Sequence, residues 1–403
     1  MIDAVLERLR DLARPNFGWL TLAAALGLTF TGIEVMRLLD PPDILNPAAK
    51  QQRNLVIALV AMAAMILPHP RLIGSSAYGL FGIALGLLIF VLIPFIPESI
   101  VKPVNGARSW INLRVMNFQP SEMAKVTFVL SLAWYLRYRG NHRRLLGLLP
   151  PFLFMLVPVG LIIVEPDLGQ SLAFGPALLV MLVAAGAKLR HLASLLLIAL
   201  LVITVNIAIV LWAPPGMQIL KPHQQKRITS MIRLASGDRS QVQTDAYQQD
   251  KAMTLAGAGG WNGRGAETSS KLLDYYSLPE AHNDMIYAVV VNRWGLLGGA
   301  ALMGMYGVLV GSMFAVAAVT KDPLGRLSCV GFAGIFLAQA VINIGMTVGV
   351  LPITGITLPF VSYGGSSLLF SFIMVGLVMN FASRRRVFMS RPSFEFDRRG
   401  RAG

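Results

Sequence analysis

Apolar stretches long enough, or nearly long enough, to cross about 30 Å of hydrocarbon recur at 17–37, 54–70, 76–96, 121–137, 148–164, 168–186, 191–213, 285–319, 326–350 and 366–382. Few folds are open to such a chain. Inside a bilayer the backbone has no water to bond, so each stretch must satisfy its own amides and carbonyls as a helix. The composition agrees: of 403 residues 55% are hydrophobic and 14% charged, against roughly 25% charged in a soluble domain. The expected fold is an all-α integral membrane protein, a single polytopic domain of ten transmembrane helices over 1–403. Cys329 is the one cysteine and lies within an apolar run, so no intrachain disulfide forms.

Charge sets the expected orientation. Arg8, Arg10 and Arg14, then Arg71, then Arg137 to Arg144, Lys188 and Arg190, Lys321 and Arg326, and the arginines from Arg384 to Arg401 all fall on one side of the membrane if the spans alternate. By the positive-inside rule that side is cytoplasmic and holds both termini. Residues 1–16 read as a cytoplasmic interfacial segment and 383–403 as a basic cytoplasmic tail. The net charge of +15 then reflects topology and suits anionic lipid groups, and no nucleic-acid partner is expected. Between the seventh and eighth spans, 214–284 forms a large extracytoplasmic loop. Amphipathic patterning at 224–235 and 243–256 predicts short surface helices, and the glycine-rich stretch from Gly257 to Gly265 separates them from the next span. A connection of that length is functional or disordered.

Four polar constellations interrupt the apolar pattern, and charge at membrane depth marks functional candidates. Arg108 and Trp110 precede Gln119, Pro120, Ser121, Glu122 and Lys125; on a helix starting at Pro120, Glu122 and Lys125 share a face at i,i+3 and can pair. An ion pair that only fixes the helix end is the alternative. Glu165-Pro-Asp-Leu-Gly-Gln170 is an acidic turn in which Asp167 either caps the next helix or serves a substrate cavity. In Leu278-Pro-Glu-Ala-His-Asn-Asp284, Asp284 stands at the mouth of an apolar helix, where partial desolvation favours a general base; an N-cap is the bland reading. The stretch from Pro352 to Ser367, with Ser362, Gly364 and Gly365, reads as irregular re-entrant backbone. Its amides could bind an anion.

Taken together, Asn105-Gly-Ala-Arg-Ser-Trp-Ile, Phe118-Gln-Pro-Ser-Glu-Met-Ala-Lys125, Glu165-Pro-Asp-Leu-Gly, Leu278-Pro-Glu-Ala-His and Leu358-Pro-Phe-Val-Ser-Tyr-Gly-Gly-Ser-Ser367 resemble the SEDS family of shape, elongation, division and sporulation proteins. The resemblance implies a ten-helix peptidoglycan glycosyltransferase in the bacterial cytoplasmic (inner) membrane. Such an enzyme polymerises lipid II, an undecaprenyl-pyrophosphate-linked disaccharide peptide, with a class B penicillin-binding transpeptidase in an elongation or division complex. Lys221-Pro-His-Gln-Gln-Lys-Arg227 and Asn343-Ile-Gly-Met346 look like the RodA branch, and Pro279-Glu-Ala-His282 is closer to FtsW. The family's catalytic aspartate falls on Asp284, and its membrane-embedded Glu and Lys fall on Glu122 and Lys125. Where relatives carry an acidic pair, this chain has Asn292-Arg293-Trp294, a reversal of local charge.

Asp284 is thus the expected base for the attacking sugar hydroxyl. Arg108, Lys125 or Arg227 are expected to neutralise the departing diphosphate, and Glu122, Asp167, Ser362, Gly364 and Gly365 complete the substrate-binding set. No tightly bound cofactor is expected; a divalent cation, Mg2+ or Mn2+, is the auxiliary candidate. Arg293 is expected to pair with Asp167, Glu165 or Asp284, to receive the diphosphate, or to serve only as a structural ion-pair partner. A lipid II flippase or a non-catalytic scaffold for the transpeptidase are the rival functions.

Overall fold

The structure is a computed structural model that describes residues 15–39, 46–101, 103, 108–113, 116–212, 225, 229, 247–278 and 280–384. Thirteen α-helices are named here: α1 Phe17–Met36, α2 Pro47–Ile66, α3 Pro70–Leu92, α4 Pro120–Leu136, α5 Leu149–Val164, α6 Leu168–Leu172, α7 Phe174–Ala184, α8 Leu189–Trp212, α9 Tyr247–Ala258, α10 Gly265–Tyr276, α11 Ile286–Val319, α12 Pro323–Thr347 and α13 Gly365–Ser383. Among the described residues the only strands are β1 Ile111–Asn112 and β2 Asn117–Phe118, an antiparallel ribbon just before α4. Helix starts follow from local chemistry. Proline, whose missing amide costs nothing in the first turn, opens α2, α3, α4 and α12. Asn16, Asn46 and Asp322 cap α1, α2 and α12 by accepting first-turn amides.

Among the described residues, seven helices are long and apolar enough to cross a membrane: Phe17–Leu39, Pro70–Leu92, Leu146–Val164, Leu189–Val210, Ile286–Val319, Pro323–Thr347 and Gly365–Ser383. The other three expected stretches are helical too. α2 carries Lys50 and Arg53, α4 has 17 residues with Glu122 and Lys125, and 168–186 is divided at Ala173 into α6 and α7.

Burial sorts these helices into centre and rim. The apolar windows of α12 and α13 are 78% and 83% buried, against 6% for α8, and most of α4 is buried as well. α4, α12 and α13 therefore form the centre and α8 faces outward, which explains how charge survives in α4 and why α8 is almost wholly aliphatic.

Close approaches through small residues set the register. α1 lies antiparallel to α11: Thr21 Oγ1 and Ser312 Oγ are 2.8 Å apart, Gly27 sits against Met305, and Glu34 meets Arg293. α3 lies antiparallel to α4, with Gly74 under the Trp134 ring and Ser131 donating to the Ala77 carbonyl. α13 runs parallel to α2, Gly365 against Asn54 and Gly376 against Met62, closed by Asn380 Nδ2 on the Met65 and Pro68 carbonyls.

The glycine-rich stretch does more than separate the loop from the membrane. α11 is interrupted at Gly295, whose φ of 71° belongs to the left-handed region. The Leu296 and Leu297 amides, released from the helix ladder, donate to the Gly260 and Trp261 carbonyls. Gly259 and Gly263 allow this approach, since a Cβ on either would lie 2.2 Å from a carbonyl oxygen of α11. Residues 257–265 thus dock beside α11, two to three turns beyond its start.

Candidate functional site

The four polar constellations meet at one end of the bundle. Glu122 and Lys125 pair as their spacing predicts. Lys125 Nζ donates to Glu122 Oε1 at 2.9 Å and to Gln170 Oε1 at 2.8 Å, and the two side chains are 0% and 1% exposed. Gln170 brings the acidic turn into the same cluster. Asp167 accepts the Gln170 amide as helix cap, and its other oxygen accepts Gln119 Nε2 at 2.9 Å. The Gln119 amide donates to Ser366 Oγ at 3.0 Å, tying α4 to the start of α13. Glu165 is buried beside this cluster, and burial, reinforced by the neighbouring Asp167 charge, pushes its carboxyl up to about 8. Burial raises Asp167 as well, against the pull of the Gln170 amide and Lys125.

Asp284 is buried immediately before α11, and the surrounding backbone is clamped from three directions. Asn343 Nδ2, from α12, donates to the Asp284 carbonyl at 2.9 Å and to the Ile356 carbonyl at 2.7 Å. Ser362 Oγ donates to the Asn283 carbonyl and accepts the Leu358 amide at 2.8 Å. The Tyr363 amide donates to the His282 carbonyl at 2.8 Å, and the two rings lie edge to face. Gln51, from α2, reaches the same loop, donating to the Ser362 carbonyl and accepting the Gly364 amide at 3.3 Å. The segment around the aspartate is thereby fixed by backbone-directed bonds in a buried setting, where each is hard to replace by water. Burial also lowers the proton affinity of His282, against the opposing pull of Glu280.

Ser362 and Gly364 spend their described hydrogen bonds on holding the loop, while Gly365 opens α13 against Asn54 and Met116. Arg108 donates through Nη1 to the Pro94 carbonyl at 2.9 Å and through Nη2 to the Ile96 carbonyl at 2.7 Å, so its guanidinium staples the connection after α3. Arg227 and most of 224–235 lie outside the described residues. Among the described residues no three His, Cys, Asp or Glu side chains converge into a set that could hold a metal ion.

Arg293 forms a structural ion pair, and the carboxylate partner expected for it is corrected. Its partner is Glu34 of α1: Nη2 to Oε1 is 2.8 Å and Nη1 to the Glu34 carbonyl 2.9 Å, with the guanidinium over the Trp294 ring. The reason is helical phase. Position 293 faces α1, whereas Asn292 turns the other way and donates Nδ2 to the Leu255 carbonyl at 2.8 Å. A carboxylate at 292 would face that carbonyl with no proton to offer.

Sequence reasoning passed over Asn343 as a site residue, treating it only as part of a branch motif. A lone amide inside an apolar span was the available signal.

A family model described as cell cycle protein, covering FtsW, RodA and SpoVE, matches residues 19–387. The chain belongs to this family. Among curated members, it is 34% identical over 398 residues to a probable peptidoglycan glycosyltransferase FtsW of Halomonas elongata, covering 93% of each chain. It is 35% identical over 293 residues to the protein of that name from Marinomonas mediterranea, covering 71% of this chain and 67% of the other. Among solved members, a chain from a peptidoglycan synthase complex that coordinates polymerization and crosslinking superposes with a TM-score of 0.74 at 31% identity, covering 91% of this chain and 98% of that one. Rod shape determining protein RodA of Thermus thermophilus superposes with a TM-score of 0.65 at 27% identity, covering 91% and 97%. Both branch names thus occur in the family matches, as both branches' motifs do in the sequence.

Proposed function

We propose that this chain is a multi-pass membrane peptidoglycan glycosyltransferase that polymerises lipid II, with Asp284 as the general base. The observation that carries the reading is that, among the described residues, the Gln119–Lys125, Glu165–Gln170 and Leu358–Ser367 motifs are hydrogen-bonded into one end of the bundle with a buried aspartate whose loop is locked by Asn343, Ser362 and Tyr363. Polymerisation joins a sugar 4-hydroxyl to the anomeric carbon of the growing strand and breaks that carbon's bond to the lipid diphosphate. Asp284 accepts the hydroxyl proton as the new bond forms, and its fixed position keeps the carboxylate aligned for that transfer. The Glu122–Lys125–Gln170 cluster holds α4 against the acidic turn. It positions and does not carry charge to the substrate, because Lys125 is already engaged by two acceptors.

In the bilayer α2, α4 and the broken α6–α7 pair complete ten spans with both termini in the cytoplasm. α9, α10 and Asp284 then lie on the outer side, where the glycan is built, and a class B penicillin-binding protein crosslinks the product. Purified protein incubated in detergent with labelled lipid II tests the activity directly, since detergent leaves no second compartment. Glycan strands are expected. Their absence from folded protein would favour the flippase or scaffold reading.

A further inference from the structure

Asp284 is held by α12 through Asn343, and the end of α12 is in turn held by α9, a helix of 12 residues that is too short to be a span. Gln249 of α9 is 2% exposed. Its Nε2 donates to the Met346 carbonyl at 2.8 Å and to the Leu351 carbonyl at 2.8 Å, so both of its amide protons are used. These two acceptors bracket the last turn of α12 and the turn that follows. Inside that turn the Val350 and Leu351 amides both donate to the Gly345 carbonyl, which folds the chain back beside its own helix.

The Gln249 and Asn343 amides work on the same segment. Met346 lies three residues beyond Asn343, about 4.5 Å along the axis at helical rise. Gln249 holds Leu351 at the start of the returning chain, and Asn343 holds Ile356 further on while its Nδ2 also holds the Asp284 carbonyl. A change in how Gln249 seats the α12 end is therefore passed to the nitrogen that grips Asp284.

The seat from which Gln249 acts is firm. Ala252 and Leu255 of α9 are fully buried. The Leu255 carbonyl accepts Asn292 Nδ2, the Arg264 amide donates to the Asn292 carbonyl, and the Gly260 and Trp261 carbonyls accept the Leu296 and Leu297 amides. On the α12 side, Met253 lies against Gly349, whose φ is 85° and where a Cβ would lie 2.6 Å from the Met253 sulfur. α9 is thus fixed to α11 by several bonds and reaches the α12 carbonyls through one side chain. The links close a ring from Asp284 along α11 to α9, through Gln249 to α12, and through Asn343 back to Asp284.

Resting on the glycosyltransferase reading, we propose that Gln249 is a positioning residue for Asp284. It fixes the end of α12 and the returning turn, and through Asn343 it fixes the backbone of the aspartate. A base displaced by on the order of 1 Å loses about 100-fold in rate.

Two variants of the full-length protein in detergent test this. Gln249→Leu removes both donors without adding charge, and Gln249→Glu removes them while keeping the shape of the side chain. Each should lower kcat for lipid II polymerisation about 10- to 100-fold and leave KM within about twofold of wild type. In an Asn343→Leu background, Gln249→Leu should lower kcat by less than about twofold more, because the link through which it acts is already broken. Thr21→Val, which removes the buried Thr21–Ser312 contact between α1 and α11, controls for lost stability and should leave kcat within about twofold of wild type. Amide hydrogen exchange reads the same link without turnover: in folded Gln249→Leu, peptides covering 282–288 and 346–356 should exchange about tenfold faster than in wild type. A rise in KM alone, fully multiplicative losses in the double variant, an equal kcat loss in Thr21→Val, or unchanged exchange at 282–288 would each overturn the proposal. Faster exchange there, in a protein whose wild type makes no glycan, would uphold the link from Gln249 to the Asp284 segment and sink the glycosyltransferase reading instead.

Discussion

The Glu122–Lys125 pair offers a quantitative check on how the centre of the bundle is built. Lys125→Met removes the ammonium and leaves a carboxylate in a site 1% exposed, beside a Gln170 amide oxygen that has lost its donor. Breaking a buried pair from one side costs about 3–5 kcal/mol, mostly the desolvation of the stranded charge. Glu122→Gln is milder, because Lys125 keeps Gln170 and gains a neutral amide oxygen; about 2 kcal/mol is expected. The double variant leaves no stranded charge and should be more stable than Lys125→Met alone, giving a coupling of about 2 kcal/mol or more. Thermal unfolding of the four proteins in one detergent, at fixed protein concentration and scan rate, reads this cycle. Additive losses across it would show that the two side chains do not share an interaction, and the positioning role assigned to the cluster would fall with them.

Glu165 holds its proton in the folded protein up to about pH 8, whereas an unfolded glutamate releases it near 4.5; the folded state therefore binds the extra proton between those values, and stability falls as pH rises through them, by at most about 1.4 kcal/mol per pH unit. Glu165→Gln should flatten that slope and raise the melting temperature at pH 7.5, and an unchanged slope would refute the assignment. Asn343→Leu strands two buried carbonyls, costs about 2–5 kcal/mol, and should lower kcat far more than it raises KM; a pure KM effect would show that the clamp does not act through Asp284. Thr268→Cys, in a Cys329→Ser background, should react with a membrane-impermeant maleimide in intact spheroplasts, because position 268 is exposed on α10; labelling only after lysis would invert the topology.

What the sequence disclosed and what it withheld divide along physical lines. The apolar stretches and the Glu122–Lys125 pair were legible because both depend on local spacing. Helical periodicity carries that information within one or two turns. The partner of Arg293 was not legible, since Glu34 lies 259 residues away in a stretch that reads as a plain apolar span. Helix α10 was passed over in the polar loop, although Ser269, Leu273 and Tyr276 recur at helical spacing. The docking of 257–265 beside α11 was hidden too. Glycines there read as a flexible spacer, and only the three-dimensional approach of the Gly260 and Trp261 carbonyls to α11 shows that their small size is what the contact requires. Nor could spacing show that Ser362 bonds the backbone beside Asp284, 79 residues earlier in the chain, and that Gly364 bonds Gln51 of α2.

The most direct test of the central claim is the activity of Asp284→Asn, an isosteric change that removes the base and leaves the Asp284 carbonyl bond from Asn343 intact. The variant should melt within about a degree or two of wild type, as a near-neutral substitution does, and should yield no glycan from labelled lipid II in detergent. Glycan made by the folded Asn variant at the wild-type rate would contradict the assignment of Asp284 as the general base.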